Sequence, residues 1–592
     1  MHTIPGIHLT VPARAGAAVA SARAEAGRQQ AGWSLGDWLT ARIDTRRPLD
    51  DAVARDASGV TVVLEGYLTG IAGAEGAAAA PTASDLLRLY LAEGTACLAR
   101  LRGSYTGLVL DGRTQQALLF NDRRASRPLF VRRDGGGSLH AGPEVAALAR
   151  LAPALVDIDP AAVSQFIIFA SYYGDRTLFP AIRRLPPASI LTLKPGGGVT
   201  TTRHWQLGID PHRPAGDDDE WVDQVLAGLD AACARLGRAA VHPVLLLSGG
   251  DSRAIAASLR RAGPPEHAAS YGTEEGDDAP TARQVAHACG IPFRYWPLAT
   301  DSLEAYFVDA ARQSDSQAET IDSPMLGGLF GRIADTHDAF VQGDKSVYGR
   351  VPATAADAFE AAGIRGWAGA RRFVDMLAPD VARTVCGELD ADLARMRADG
   401  RHLSPIDLRD KLYFDQRLCN RQNGFTALKL RHMEQFRPWL DEDLVDLMMR
   451  LPATLRGDEK ALVRRVTARA APDLAALPYA RKDSIPQSQS LQAALAQEPA
   501  LASFIRSQFG SAFDDRLAAL FRPGAVQALA ESLVTGTPYP ASGACWWHSL
   551  PGLWRLEARR YASDKVHPVR IVLRLLQLNL FLASLRPSTP AT

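Results

Sequence analysis

The stretch Pro243–Leu259, "PVLLLSGGDSRAIAASL", decides the fold. Val244 to Leu247 form an apolar run suited to a buried strand, Gly249 and Gly250 a permissive turn, and Ser252 to Leu259 a helix. In an open α/β sheet, ligands sit at the carboxyl ends of the strands, where such a turn presents backbone N–H groups to an anion. The hydroxyls of Ser248 and Ser252 then donate to phosphate oxygens, and the Asp251 carboxylate faces a divalent cation. The competing reading is an ordinary strand-to-helix turn in which Asp251 or Ser252 caps the helix. A short glycine motif does not separate the two, so the surrounding chain must.

Around this stretch, strands and helices alternate. A helix ("EWVDQVLAGLDAACARLG") precedes it, and a short strand ("HAASYGT"), a helix ("APTARQVAHACG") and "IPFRYWPL" follow. That spacing predicts a parallel sheet with crossovers. Upstream, "DPHRPAGDDDE" breaks all apolar periodicity and marks a boundary, dividing the chain into domains 1–209 and 210–592. Before it, apolar runs of four to seven residues ("GVTVVLEGYLTG", "YTGLVLDG", "QALLFNDR") are separated by turn residues, which predicts a strand-rich domain with a few helices. After about residue 300 the pattern is mostly helical, as in "DEDLVDLMMRL" and "VRIVLRLLQLNLFLASL", with residues 350–410 reading as an insertion.

Composition narrows the function classes. A chain of 592 residues exceeds one core, and its net charge of +1 favours neither nucleic acid nor an anionic membrane surface. The six cysteines are scattered without a Cys-x-x-Cys pair, which fits reduced thiols. The first residues lack the apolar core of a signal peptide, and no run of about 18 apolar residues occurs. The expected location is cytoplasmic, without membrane contact.

In their order along the chain, several further motifs resemble the class B asparagine synthetase family. "LRGSYTGLVLD", "NDRRASRPLFV" and "AGPEVAAL", through Gly103, Asp122, Arg123, Pro128, Leu129 and Glu144, look like its glutaminase-domain stretches. "HMEQFRPWLDEDLVDLMMRLP" is similar to its Glu-x-Arg-x-Pro-Phe-Leu-Asp block, and "GDEKALVRRVTARAAPDLAALPYARKDS" to its lysine-bearing segment. The resemblance implies an α+β N-terminal glutaminase-like (Ntn) sandwich domain, then an α/β ATP-pyrophosphatase domain of the adenine nucleotide alpha hydrolase type with a helical C-terminal part. It implies an ATP and pyrophosphate site at Leu246, Ser248, Gly249, Gly250, Asp251, Ser252, Tyr271 and Gly343. Asp251 and Asp344 would hold Mg²⁺, Lys482 would act in catalysis, and Glu434 either orients the amine or forms a structural salt bridge. Asp278, in the acidic-x-x-x-Ala-Arg helix of "DDAPTARQVAHACG", is a further candidate acid. His204, Trp205 and the Cys545–His548 cluster read as packing.

Four departures from the family pattern stand out. The family's catalytic cysteine at position 2 is replaced in Met1-His2-Thr3, so the glutaminase is expected to be inactive. The phosphate loop is one residue short, with Asp251 and Ser252 kept at the helix start under either placement of the gap. The acidic Gly-Glu-Gly-x-Asp-Glu loop shrinks to "VQGDKSVYGR", where Lys345 either contacts phosphate or is solvated. Phe436 stands where the arginine of the Glu-x-Arg-x-Pro block is expected, with Arg437 beside it.

Without glutamine-derived ammonia, the nucleophile is expected to be an amine of the substrate. Relatives lacking the cysteine include β-lactam synthetases and lasso peptide cyclases, and this chain resembles the latter more. The expected activity is adenylation of an Asp or Glu side chain of a precursor peptide and closure by its N-terminal amine. A leader peptidase and a leader-binding protein are the expected partners. The alternatives are an ammonia-dependent amidotransferase and a catalytically dead peptide- or protein-binding homologue.

Overall fold

The computed structural model describes residues 3–12, 27–74, 79–151, 157–209, 216–237, 242–263, 265–272, 278–297, 302–320, 326–344, 350–457, 460–479, 498–536 and 564–586. Among the described residues, the first third of the chain holds twelve strands: β1 Gly6–Val11, β2 Gln29–Leu35, β3 Leu39–Thr45, β4 Val53–Arg55, β5 Val60–Ile71, β6 Leu101–Asp111, β7 Gln116–Asn121, β8 Phe130–Arg133, β9 Leu139–Gly142, β10 Ile182–Arg184, β11 Ser189–Lys194 and β12 Gly198–Arg203. They form two antiparallel sheets, ordered β10-β8-β9-β1-β3-β2 and β12-β11-β7-β6-β5-β4. Alternating residues explain the packing. Ile7, Leu9 and Ile43 of one sheet meet Val63, Leu108 and Leu119 of the other in a shared core. On the far side of the second sheet, Val62, Leu64 and Val109 pack under the helix Ala83–Glu93.

Asp122 shapes the connection between β7 and β8. Its carboxylate accepts from the N–H groups of Tyr105, Arg124 and Ser126 and from the Ser126 hydroxyl. The turn it holds forces Ala125 to φ 46°, a left-handed conformation that favours glycine. Ala125→Gly is therefore expected to raise stability by about 1 kcal/mol, read from urea unfolding midpoints.

The later chain supplies β13 Pro243–Leu246, β14 His267–Gly272, β15 Phe293–Pro297, β16 Ala339–Val341 and β17 Glu434–Phe436. All neighbours pair in parallel, in the order β15-β14-β13-β16-β17. Both faces are covered, which is why β13 is apolar without alternation. Leu245 and Ala268 pack with the helices Asp218–Leu236 and Gly250–Ala262. Val244, Leu246 and Phe340 face Leu329, Phe330 and Ile333 of the helix Leu326–Ala334.

A further core joins the sandwich to the helices of the later chain. The helix Pro160–Phe169, against the outer face of β8 and β10, shares it with the helices Pro379–Asp399, Pro499–Phe509 and Pro568–Ser584. Residues 350–410 are thus integral to the helical core. Among the described residues, no helix is long and apolar enough to cross a membrane.

Candidate active site

The sheet order creates one crevice. From β13 the chain builds outward through β14 and β15, then returns to the other side of β13 through β16 and β17. Ligands of open α/β sheets bind at such a reversal, outside the carboxyl ends of the strands. Here the residues following β13 meet those following β16. A Cβ on Gly343 would lie 2.7 Å from the Ser252 nitrogen and 2.8 Å from Asp251 Cβ, so only glycine allows this approach.

Leu246, Ser248, Gly249, Asp251, Ser252, Tyr271 and Gly343 line a single cleft of about 180 Å³, together with Asp278 and Gln342. Gly250 is buried in the wall rather than lining it; a Cβ there would stand 3.5 Å from the Tyr479 ring. Gly249 faces open space, where nothing lies within 4 Å of an added Cβ. The start of the helix Gly250–Ala262, with the N–H groups that every helix leaves without intrahelical acceptors, opens on the cleft.

Of its two expected parts, Ser252 plays the capping one. Its Oγ accepts from the N–H groups of Ser248 and Gly249 at 3.1 and 3.2 Å and donates to the Gly249 carbonyl at 3.0 Å. The hydroxyl locks the shortened loop in shape, and Ser248, exposed, is left as the hydroxyl that faces a ligand. Arg253, next in sequence, is buried and anchors another segment. It donates to the carbonyls of Leu474, Leu477 and Pro478 at 3.1, 2.8 and 2.7 Å and stacks 3.9 Å from the Tyr479 ring centroid. Lys482, Lys345 and Cys545–His548 lie outside the described residues.

Asp344 follows Gly343 but is already engaged. It accepts from Gln342 Nε2 at 3.0 Å and lies 3.6 Å from the Arg437 guanidinium. Arg437 leaves the end of β17 and also donates to Asn423 Oδ1 at 2.8 Å. Phe436, in the expected arginine position, is buried with its ring 4.3 Å from that of Tyr67. The neighbouring arginine thus reaches the acidic loop directly. Behind it, the buried Lys429 donates to Gln342 Oε1. Burial pushes its ammonium down to about 8, with Asp344 opposing and Arg437 adding to the shift. Tyr413 stands near both acids. Burial pushes its phenol up, and the Asp344 and Asp251 carboxylates add to that. No sequence motif marks Tyr413, and Arg437 stands out only as the neighbour of the expected arginine position, whereas a lysine inside the apolar helix Asn423–Leu430 is a readable signal.

Lys429 gives a sign for pH dependence. Its value is lowered on folding, so the unfolded chain holds a proton that the folded protein has released between about pH 8 and its ordinary 10.5. Stability contributed by this group rises with pH across that window, by at most ~1.4 kcal/mol per pH unit. Urea unfolding at about pH 7.5 and about pH 9.5 is expected to show the wild type gaining on Lys429→Met.

Glu434 lies elsewhere. It opens β17 opposite Ala339, the first residue of β16, and pairs with Arg127 of the first sandwich. The Arg127 side chain, 2% exposed, also meets Glu65 at 3.3 Å. Neighbouring arginines stitch the same block: Arg124 to Glu442 at 2.8 Å and Arg123 to Asp446 at 3.0 Å. Glu144 reaches Arg431 at 2.6 Å. His204 Nε2 lies 3.0 Å from the Asn121 carbonyl, and Trp205 lies under the Arg123 guanidinium.

Residues 76–205 match the family described as a glutamine amidotransferase domain, and residues 224–341 the family described as asparagine synthase. The first match falls within the two-sheet sandwich, and the second covers β13 to β16 of the parallel sheet. Among solved structures, the chain is similar to a glutamine phosphoribosylpyrophosphate amidotransferase from B. subtilis, complexed with ADP and GMP. The two are 11% identical, with 50% of this chain and 60% of that one covered and a TM-score of 0.20. An allosteric regulatory enzyme of purine biosynthesis is also 11% identical, with 61% and 72% covered and a TM-score of 0.20. Scores this low carry no argument. No match was found among curated proteins.

Proposed function

We propose that this chain is an ATP-dependent amide ligase that activates a substrate carboxylate as an acyl-adenylate, releases pyrophosphate and lets an amine of the same molecule close the amide. The reading is carried by one observation: the loop Ser248–Ser252, at a helix start on the reversal point of a parallel sheet, is packed against Gly343. The match of residues 224–341 to asparagine synthase supports ATP-dependent amide formation in general. The finer claim is macrolactam closure of a lasso peptide precursor, with an Asp or Glu side chain as acyl donor and the N-terminal amine as nucleophile. It rests on the sequence resemblance, as do a leader peptidase and a leader-binding protein as partners. An amine carried by the substrate also accords with Cys97, the sole cysteine among the described residues of the sandwich. It is buried beneath a sheet, and burial pushes its thiol up to about 12, unlike a nucleophile for glutamine.

The cleft suits Mg²⁺. Its described donors are carboxylate, amide, hydroxyl and backbone oxygens, without imidazole or sulfur. Asp251, with Asp344 beside it, would hold the ion, which when bound neutralises charge on the phosphates. The helix start and the Ser248 hydroxyl orient the phosphate chain, and Arg437 and Lys429 keep the acidic loop in place. Catalysis of this kind is mostly positioning and electrostatic stabilisation.

The test is incubation of the protein with ATP, Mg²⁺ and a leader-free precursor peptide. The expected products are AMP, pyrophosphate and a peptide lighter by one water. Amidation of aspartate by ammonium, without any dehydrated peptide, would instead establish the amidotransferase alternative.

A further inference from the structure

We infer that the amino-terminal edge of the parallel sheet carries a zinc-type cation site built from His267, His337 and Glu266, with His242 supporting Glu266. This edge is the opposite end of the sheet from the nucleotide cleft. Three adjacent strands begin beside a histidine: His242 directly precedes β13, His267 opens β14, and His337 stands shortly before β16. Parallel pairing fixes their relative heights, with Val244 against His267 and Pro243 against Ala339.

His267 Nδ1 lies 3.2 Å from His337 Nε2, with the two rings 81° apart. Together with a Glu266 carboxylate oxygen, the ligand atoms all fall within 4.8 Å of one another. The other nitrogen of His337, Nδ1, faces the Ile333 carbonyl at 3.4 Å and Thr336 Oγ1 at 2.9 Å. A carbonyl only accepts, so it favours the proton on Nδ1 and a lone pair on Nε2. Metal-bound histidines are held in this way, through the ring nitrogen that does not ligate. Two nitrogens on a tetrahedral ion, each at ~2.0–2.1 Å, stand roughly 3.3 Å apart, so the observed separation needs little adjustment. His242 Nδ1, 3.0 Å from Glu266 Oε2, steadies the carboxylate. His337 is buried and Glu266 exposed, which leaves an approach and a fourth position for water.

Two imidazoles and a carboxylate select zinc and related first-row ions over magnesium, so this site and the nucleotide cleft differ in donor chemistry. Arg294, the nearby positive charge on β15, is stacked on Trp296 at 3.9 Å. Bound metal would tie β13, β14 and β16 together at their beginnings.

The experiment is titration of the metal-stripped full chain with Co²⁺ and Zn²⁺ in the absence of ATP. One equivalent of Co²⁺ with tetrahedral visible bands is expected, displaced by Zn²⁺, with a melting temperature raised by Zn²⁺ and not by Mg²⁺. His267→Gln and Glu266→Gln, both changes at the solvent edge, are expected to lose the Co²⁺ bands while melting normally without metal. His242→Ala is expected to weaken Zn²⁺ binding about 10–100-fold. Equal Co²⁺ spectra and Zn²⁺ stoichiometry in the wild type and His267→Gln would overturn the site, as would no bound equivalent at millimolar Zn²⁺.

Discussion

Replacing Asp251 with alanine is expected to lower ATP-dependent pyrophosphate release by at least ~10²–10³-fold, the loss typical of a removed electrostatic group in a preorganised site. Asp251 lies in the first turn of the helix Gly250–Ala262 and lines the cleft. Its neighbour Gly343 packs directly on its backbone, so the carboxylate cannot be supplied from a shifted loop. Asp344 is the useful contrast. Its charge is already offset by Arg437 at 3.6 Å, so Asp344→Asn is expected to cost less. Folding does not explain the difference, because losing an acid from the first turn of a helix costs only about 0.3–1 kcal/mol. Pyrophosphate release with ATP and precursor peptide, beside melting temperatures of both variants, checks this. Turnover by Asp251→Ala within tenfold of the wild type would remove Asp251 from the site.

The parts of this arrangement legible in the sequence are those with a periodic or glycine signature. The run Val244–Leu247 with two following glycines gave the central strand and the helix start, because a strand buried on both faces has no polar alternation. Strands β16 and β17 were invisible. Each is three residues long, within a region whose helical periodicity dominates, and only pairing with β13 and then with each other makes them strands. The acidic loop was readable as Gly343 and Asp344, but its counter-ion was not. Phe436 had the motif position, whereas Arg437 reaches Asp344 because the strand ends at Phe436 and the next side chain leaves the pleat. For Ser252 the sequence leaves phosphate contact and helix capping both open, for a related reason. Sequence places a hydroxyl at the helix start, but which way it turns depends on the length of the loop before it, and the shortened loop brings two N–H groups onto it.

Arg127→Ala is expected to destabilise the protein by about 3–5 kcal/mol, the cost of leaving a buried charge without its partner. The guanidinium is held between Glu65 and Glu434 and donates through Nε to the Ser104 carbonyl at 3.1 Å. Burial already pushes the Glu65 carboxyl up, with Arg127 the largest opposing influence, so its removal leaves Glu65 to take up a proton. Adding Glu65→Gln and Glu434→Gln to Arg127→Ala should therefore recover part of the loss, which urea unfolding of the single and triple variants measures. The same pair separates two roles for Glu434. Its backbone is level with Ala339, four residues before Gly343, and at ~3.3 Å per strand residue that is roughly 13 Å from the loop. A carboxylate at that distance, and bound to Arg127, does not touch the loop. Glu434→Gln is thus expected to lower stability while leaving pyrophosphate release within a few-fold of the wild type. A fall of 10²-fold or more at an unchanged melting temperature would instead make Glu434 a catalytic group.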